Sequence, residues 1–368
     1  MGKLGITLAM IVKNEEKDLG RCLESAKNIF DEIVIVDTGS TDRTKEIAES
    51  YGAKIYDFEW INDFSVARNY ATEKSTNEWI VFLDADEVLD EGTKNEISRF
   101  VENNPDAIGR FKFMHKVDRN GEVAYKTSYA SRLYKKNMKF TGKIHEQVAT
   151  DLPRKNVGAL IFHDGYYKKE KSGRNIPLLL EALENDPGSA YYHFQLGREY
   201  KTDNLEIAME YYRKSYGLLT KKEAYAPMVI LELMGVCVET KKNEDIDFGL
   251  EMIDKEQGFL NGSPDFYHQA AKIYTEYCIA TNDDRALGLI EKCYRNCLEL
   301  GKQGVEEIEI GISTYISAHD LGAFYEVLGR AEDALHFYKV AWDYGYEPSK
   351  VRINVLGRKA EKNGEKRS

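Results

Sequence analysis

Cysteine is scarce in this chain, with five residues in 368. Cys22, Cys237, Cys278, Cys293 and Cys297 form no CxxC pair and are too few and scattered for a disulfide framework, while the last two fall four apart on one helix face. Reduced, mostly buried thiols in a cytoplasmic protein are expected. Long apolar runs are missing from the start of the chain. Ile6–Val12 is too short to span a bilayer, ends in KNEEK and is followed by no small-residue cleavage site. Ile6 also stands where myristoylation at Gly2 would want Ser or Thr. Neither membrane insertion nor a targeting signal is therefore expected. Positive charge is in deficit, 51 Lys and Arg against 62 Asp and Glu for a net of −11, which argues against a nucleic-acid partner. A glycine-rich phosphate loop after the first apolar run is lacking too, because KNEEK occupies that place. That excludes a sugar-phosphate nucleotidyltransferase.

What is present describes a soluble globular protein: 42% apolar, 11% aromatic and 31% charged residues. The length calls for one large or two ordinary domains. Over the first ninety residues, apolar runs alternate with amphipathic stretches. Strands are expected at Ile6–Val12, Glu32–Val36, Lys54–Phe58 and Trp79–Leu83, with helices at Glu15–Ile29, after DTGSTD through Ser50, and around Phe64–Lys74. This is the pattern of parallel βαβ units, whose ligands bind at the carboxyl ends of the strands. Arg110–Lys116, Tyr129–Lys135 and Ala159–His163 read as further strands that extend the sheet in mixed fashion, with a turn at Asn120-Gly121. The stretch 110–143 holds ten Lys and Arg against only Asp118 and Glu122, and is read as facing an anion.

Beyond about residue 172 the strands stop. Tyr192, Leu196, Gly197, Tyr200, Ala208, Tyr212 and Ser215 follow the spacing of a tetratricopeptide repeat. Leu321, Gly322, Tyr325, Ala334, Tyr338 and Ala341 repeat it, with a weaker copy from Ile273 to Cys293 and a degenerate one near Met228–Ile253. The glycines and alanines are expected to let paired helices approach.

Chemistry concentrates at the expected strand ends. Asp84-Ala85-Asp86 follows WIVFL directly, Asp37 closes the second strand in VDTGSTD, and Lys13-Asn14-Glu15 closes the first. An isolated DxD is often only a solvated acidic loop. Three polar strand ends converging on one crevice instead suit a nucleotide, with two carboxylates able to hold a divalent cation and a sugar hydroxyl.

With IVKNEEKDLGRCLESAKNIFDEIVIVDTGSTDRT, DFSVARN and EWIVFLDADE, followed by FTGKIHEQ, FHDGYY and the helical repeats, the chain resembles the family-2 glycosyltransferases of GT-A fold. It is similar to the sublancin-type (glycocin) peptide S/O-glycosyltransferases. The resemblance implies an α/β, Rossmann-like GT-A domain with a mainly parallel sheet over 1–170. An all-α tetratricopeptide-like domain over 171–368 would serve acceptor binding or dimerisation. Implied roles are Asp37 on the nucleobase (Thr38 replaces the usual second Asp), Asp86 on the metal, Asp84 toward the ribose or donor sugar, and Arg68 beside the nucleotide. On the plainer alternative Arg68 pairs with Glu59 or Glu73 at the surface. Lys13, Asn14 and His145 join the donor site, and Arg132 and Lys143 would assist the phosphates. Glu146 is the candidate general base. His163 either completes the metal shell or is a hydrogen-bonded structural residue, and His115, His193, His268, His319 and His336 read as structural. The expected cofactor is Mg2+ or Mn2+. The implied activity is inverting transfer from a nucleotide-diphosphate sugar, with a UDP-sugar expected, to Cys, Ser or Thr of a peptide or protein such as a bacteriocin. Lipopolysaccharide or surface glycan acceptors, and a non-catalytic nucleotide-sensing scaffold, remain the alternatives. A homodimer through the repeats is expected as well.

Overall fold

The apolar runs at Ile6–Val12, Glu32–Asp37 and Trp79–Phe82 form strands because they are buried on both faces, whereas Lys54–Asp57 is a half-buried edge strand. In a computed structural model that describes residues 5–119, 122–163 and 172–365, they build one eight-stranded sheet. The chain divides into two compact units, Met1–Pro187 and Gly188–Ser368. The first unit opens with β1 (Ile6–Val12), α1 (Leu19–Ala26), β2 (Glu32–Asp37), α2 (Thr44–Ser50), β3 (Lys54–Asp57), α3 (Phe64–Lys74) and β4 (Trp79–Phe82), close to the sequence expectation. It continues with β5 (Glu87–Leu89), α4 (Thr93–Asn103), β6 (Ile108–Arg119), β7 (Glu122–Lys135), β8 (Phe140–Thr141), β9 (Gln147–Val148), β10 (Arg154–His163) and α5 (Ser172–Asn185). Helix α5 thus stands with the first unit, and the boundary falls after residue 187 rather than after 170. The Asn120-Gly121 turn and Asp164–Tyr167 of FHDGYY lie outside the described residues.

The strand order is β3-β2-β1-β4-β7-β6-β10-β5. β7 and β5 run antiparallel to their neighbours and the other pairings are parallel, so this is the mainly parallel GT-A arrangement, extended by a mixed half. The two-residue period of the strands sorts the core into layers. Leu8, Met10, Trp79 and Val81 pack on one face with α1, α2 and α4, through residues such as Leu19, Cys22, Ala48 and Phe100. Ala9, Ile80 and Phe82 pack on the other with Ala71 of α3 and with Phe140 and Val148 of the small β8–β9 ribbon. β6 and β7 are longer than the sequence suggested, since their outer parts pair with each other and carry polar side chains that break the apolar pattern.

The second unit is all helix apart from its turns: α6 (Ala190–Tyr200), α7 (Leu205–Leu218), α8 (Ala226–Thr240), α9 (Asn243–Leu260), α10 (Pro264–Thr281), α11 (Leu287–Lys302), α12 (Ser317–Val327), α13 (Ala331–Asp343) and α14 (Glu347–Glu365). The four sequence repeats are the pairs α6/α7, α8/α9, α10/α11 and α12/α13. A Cβ added at Gly197 would lie 2.9 Å from Tyr212 Cδ2, and one at Gly322 would lie 2.8 Å from Tyr338 Cδ1. First and last repeats therefore use the same device, a glycine on one helix receiving a tyrosine ring from the next. No described helix is long and apolar enough to cross a membrane, and all five cysteines are free thiols.

At the start of β2, Glu32 ties three strands together. Lys54 Nζ donates to it at 2.7 Å, Thr7 Oγ1 at 2.6 Å and the Thr76 amide at 2.8 Å. Burial opposes its ionisation, but the hydrogen bonds from Lys54, Thr7 and Thr76 prevail and lower its pKa to about 2. The depressed value means that its stabilisation is complete above the unfolded pKa and is lost as pH falls from roughly 4.5 toward 2. Glu32→Gln should cost about 2 kcal/mol at pH 7 in urea denaturation, and the difference from wild type should vanish toward pH 2.

Candidate active site

Sequence neighbours of α3 assemble the centre of the site. Asp63 caps the helix by accepting from the Val66 amide at 3.1 Å. One turn on, Asn69 exchanges two hydrogen bonds with the Phe140 backbone, donating at 3.0 Å and accepting at 2.8 Å. The Phe64 amide donates to the Lys143 carbonyl at 2.8 Å. The loop from β8 to β9 is thereby clamped to α3. His145 within it adopts a left-handed backbone (φ 51°), and Glu146 is brought against Arg68.

Arg68 is buried. Its guanidinium lies 4.8 Å from the centre of the Phe82 ring, its Nε donates to Glu146 Oε1, and its Nη2 donates to Asp84 Oδ1 at 3.2 Å. The surface pairing with Glu59 or Glu73 is not what forms. From the other side Arg132 Nη2 reaches Asp84 Oδ2 at 3.0 Å and also Glu87 Oε1. Arg132 is the extra residue of a β-bulge: Gly109 faces Leu133 and Arg110 faces Ser131, which leaves Arg132 unopposed and turns its side chain to the strand ends. Burial would raise the Asp84 pKa, but Arg132 and Arg68 outweigh it and hold the carboxyl far below the usual carboxylate range. Glu87 moves the opposite way. Burial raises it, with the Asp84 charge adding to that and Arg132 opposing.

Asp86 Oδ1 lies 3.4 Å from His163 Nε2. Among the described residues no group of three or more Asp, Glu, His or Cys is arranged to hold a metal ion. Behind the Asp86–His163 pair, His163 Nδ1 is 2.9 Å from His115 Nδ1, and His115 Nε2 is 2.6 Å from Ser128 Oγ. At the end of β2, Asp37 Oδ1 accepts from the amides of Gly39 and Ser40 at 3.0 and 2.9 Å. Its Oδ2 is buried without a hydrogen-bond partner among the described residues. A buried acceptor left open at a strand end suits a donor group on a ligand.

The structure thus gathers Arg68, Asp84, Asp86, Arg132, Glu146 and His163, and sets Asp37 at a neighbouring strand end. Lys13 is exposed at the end of β1, and Asn14 is engaged with the next loop, its Oδ1 accepting from the Thr41 amide at 2.8 Å. Lys143 is not at the cluster; its ammonium pairs at the surface with Glu181 of α5. The basic stretch does not present one anion-facing surface either. Lys135, the last residue of β7, is paired with Trp79 at the start of β4 and lies 3.6 Å from Glu78, and Arg110 bonds Asn156. Strand alternation and the length of β7 scatter its charges, and Arg132 alone of that strand reaches Asp84 among the described residues. Two further residues stand at the site that the sequence did not place there. Glu87 is the third acid of LDADE, and its Oε2 accepts from the Asp84 amide at 3.0 Å. His115 was read as structural, and only strand register places it beside His163.

Residues 7–152 match the family model described as Glycosyl transferase family 2. These residues belong to that family. The chain is 33% identical over 231 residues to the SPbeta prophage-derived glycosyltransferase SunS of Bacillus subtilis, an alignment covering 57% of this chain and 53% of that protein. It is 31% identical over 284 residues to a TPR repeat-containing protein of Synechococcus elongatus, covering 72% of this chain and 65% of the relative. A glycosyltransferase of Rickettsia felis shares 34% identity over 136 residues, 36% of this chain and 48% of its own. The chain thus spans about half the length of the first and last of these relatives and somewhat under two thirds of the second.

Within the family 2 domain, the buried guanidinium of Arg68 is tolerable only with its carboxylates. Arg68→Leu should destabilise the domain by about 3–5 kcal/mol by leaving Glu146 buried and unpaired. Chemical denaturation reads this, and adding Glu146→Leu should return part of the loss; a larger loss in the double variant would show that the pair is not coupled.

Proposed function

We propose that the protein is a metal-dependent inverting glycosyltransferase that moves a sugar from a UDP-sugar to Cys, Ser or Thr of a peptide or protein. The observation carrying this reading is the charge balance at the strand ends of a family 2 domain. Among the described residues, Asp84, Glu87 and Glu146 pair with the guanidiniums of Arg68 and Arg132, and Asp86 faces the His163 imidazole. A divalent cation would add positive charge to this carboxylate-rich cluster.

The donor set fits such an ion. A carboxylate and an imidazole nitrogen 3.4 Å apart suit one cation, with the remaining positions left to diphosphate oxygens and water. The imidazole favours Mn2+ over Mg2+. Asp86 and His163 would hold the ion, which would supply Lewis-acid stabilisation of the leaving diphosphate. Arg132 and Arg68 would bind and orient the phosphate oxygens, and Asp84 would exchange part of its pairing with them for a hydroxyl of the donor. Asp37 Oδ2 would accept from the nucleobase. Glu146, aligned by Arg68 Nε, would take the proton from the acceptor as the new bond forms on the face opposite the leaving group. A thiol acceptor would ask less of that base than a hydroxyl, being partly ionised near neutral pH.

The resemblance to peptide glycosyltransferases and the helical repeats supports a peptide acceptor, since stacked helix pairs offer extended binding surfaces. Free cysteines are consistent with a cytoplasmic site of action. With a panel of UDP-sugars, Mn2+ and peptides bearing Cys, Ser or Thr, UDP release should accompany a gain of one sugar mass on the peptide. Asp86→Ala should lower turnover by at least about 100-fold. Metal-dependent UDP binding without turnover on any acceptor would mark a nucleotide-sensing scaffold, and transfer confined to glycans would move the acceptor class. Self-association through the repeats completes the proposal. Sedimentation velocity at micromolar concentration should show a dimer, and a monomer there overturns that part.

A further inference from the structure

Three strands carry a row of side chains at the edge of the site. In the sheet register Glu87 of β5 faces His163 of β10, and His163 faces His115 of β6, so all three project from the same face. The Phe113 ring, two residues before His115 on that face, stacks on the His115 ring at 5.6 Å and 12° and restrains its orientation. The two imidazoles meet edge to face, with centroids 5.1 Å apart.

We propose that His115 is a positioning residue that fixes the tautomer of His163 and presents its Nε2 lone pair to the divalent cation; the inference rests on the reading that Asp86 and His163 receive that ion. A neutral imidazole has one N–H and one lone pair. With the His163 proton on Nδ1, it donates to His115 Nδ1 at 2.9 Å. The proton of His115 is then on Nε2 and donates to Ser128 Oγ at 2.6 Å, and each of these two contacts has one donor and one acceptor. The opposite assignment puts the His163 proton on Nε2, aimed at Asp86 Oδ1 across 3.4 Å, beyond the usual N–H···O length, and blocks the metal-facing lone pair. Histidines that ligate metals are held in this way by a partner on the other ring nitrogen.

The test measures Mn2+ binding by electron paramagnetic resonance with saturating UDP, beside long-range 1H–15N spectra of the metal-free protein. His115→Leu should weaken Mn2+ about 10- to 100-fold, whereas His115→Asn, whose amide oxygen can stand where Nδ1 does, should stay within about threefold of wild type. Ser128→Ala should lose a smaller factor in the same direction. The wild-type spectrum should show His163 protonated on Nδ1, identified by its loss in His163→Gln. Thermal unfolding checks that each variant folds; should His115→Leu fail to fold, the Asn and Ser128 variants and the spectrum decide. A His115→Leu protein that binds Mn2+ as wild type does while His163→Ala is weakened overturns the positioning role, as does a wild-type spectrum with His163 protonated on Nε2. Absence of Mn2+ binding by wild type, or binding unchanged in His163→Ala, overturns instead the metal reading beneath it.

Discussion

The Asp84 carboxylate, gripped on one oxygen by Arg68 and on the other by Arg132, is the interaction on which the site depends. Two guanidiniums brought together in the interior would repel and remain unsolvated without it. Its anion in turn stays ionised because of them. Around this exchange four separate segments are fixed: α3, the end of β4, the bulge of β7 and the β8–β9 loop with Glu146. The backbone clamp by Asn69 and the bulge at Arg132 are the geometric means by which these charges meet.

Glu87 holds the Asp84 amide and Arg132 together, and its own carboxyl is pushed toward the protonated form by burial, with the Asp84 charge adding to that and Arg132 opposing. On the proposed reading, internal pairs of this cluster would be exchanged for contacts to a cation and a diphosphate. Polar clusters in the helical unit differ. There His268 meets Ser317 at 2.9 Å and His319 meets Ser349 at 2.7 Å, each joining helices of the repeat array. These are structural histidines, as their sequence setting indicates. His115 has the same kind of hydroxyl partner, and what separates it from them is the second imidazole across the strand.

Much of the first unit was legible because local signals and burial agree. ITLAMIV, EIVIV and WIVFL are strands buried on both faces, and the polar residues that end them must lie at one edge once the strands are parallel. β5 escaped notice because three residues show no period, and the length of the β6–β7 hairpin because its outer part buries too little to leave an apolar pattern. The basic stretch misled for a related reason. Net charge along a sequence says nothing of direction when alternate residues of a strand point to opposite faces and the strand outruns the site.

By itself the sequence determined the parallel sheet, the glycine-to-tyrosine repeat of the helical unit, and the placement of Asp37, Asp84 and Asp86 at strand ends. Those follow from periodicity and from short-range order along the chain. Tertiary structure alone decided the partners: Glu146 for Arg68, a bulge to aim Arg132, Glu181 for Lys143, and His115 behind His163. Those pairings are 78, 38 and 48 residues apart for Arg68, Lys143 and His115. They are set by strand register and by the need of each buried charge or imidazole for one complementary neighbour, and no local pattern encodes either.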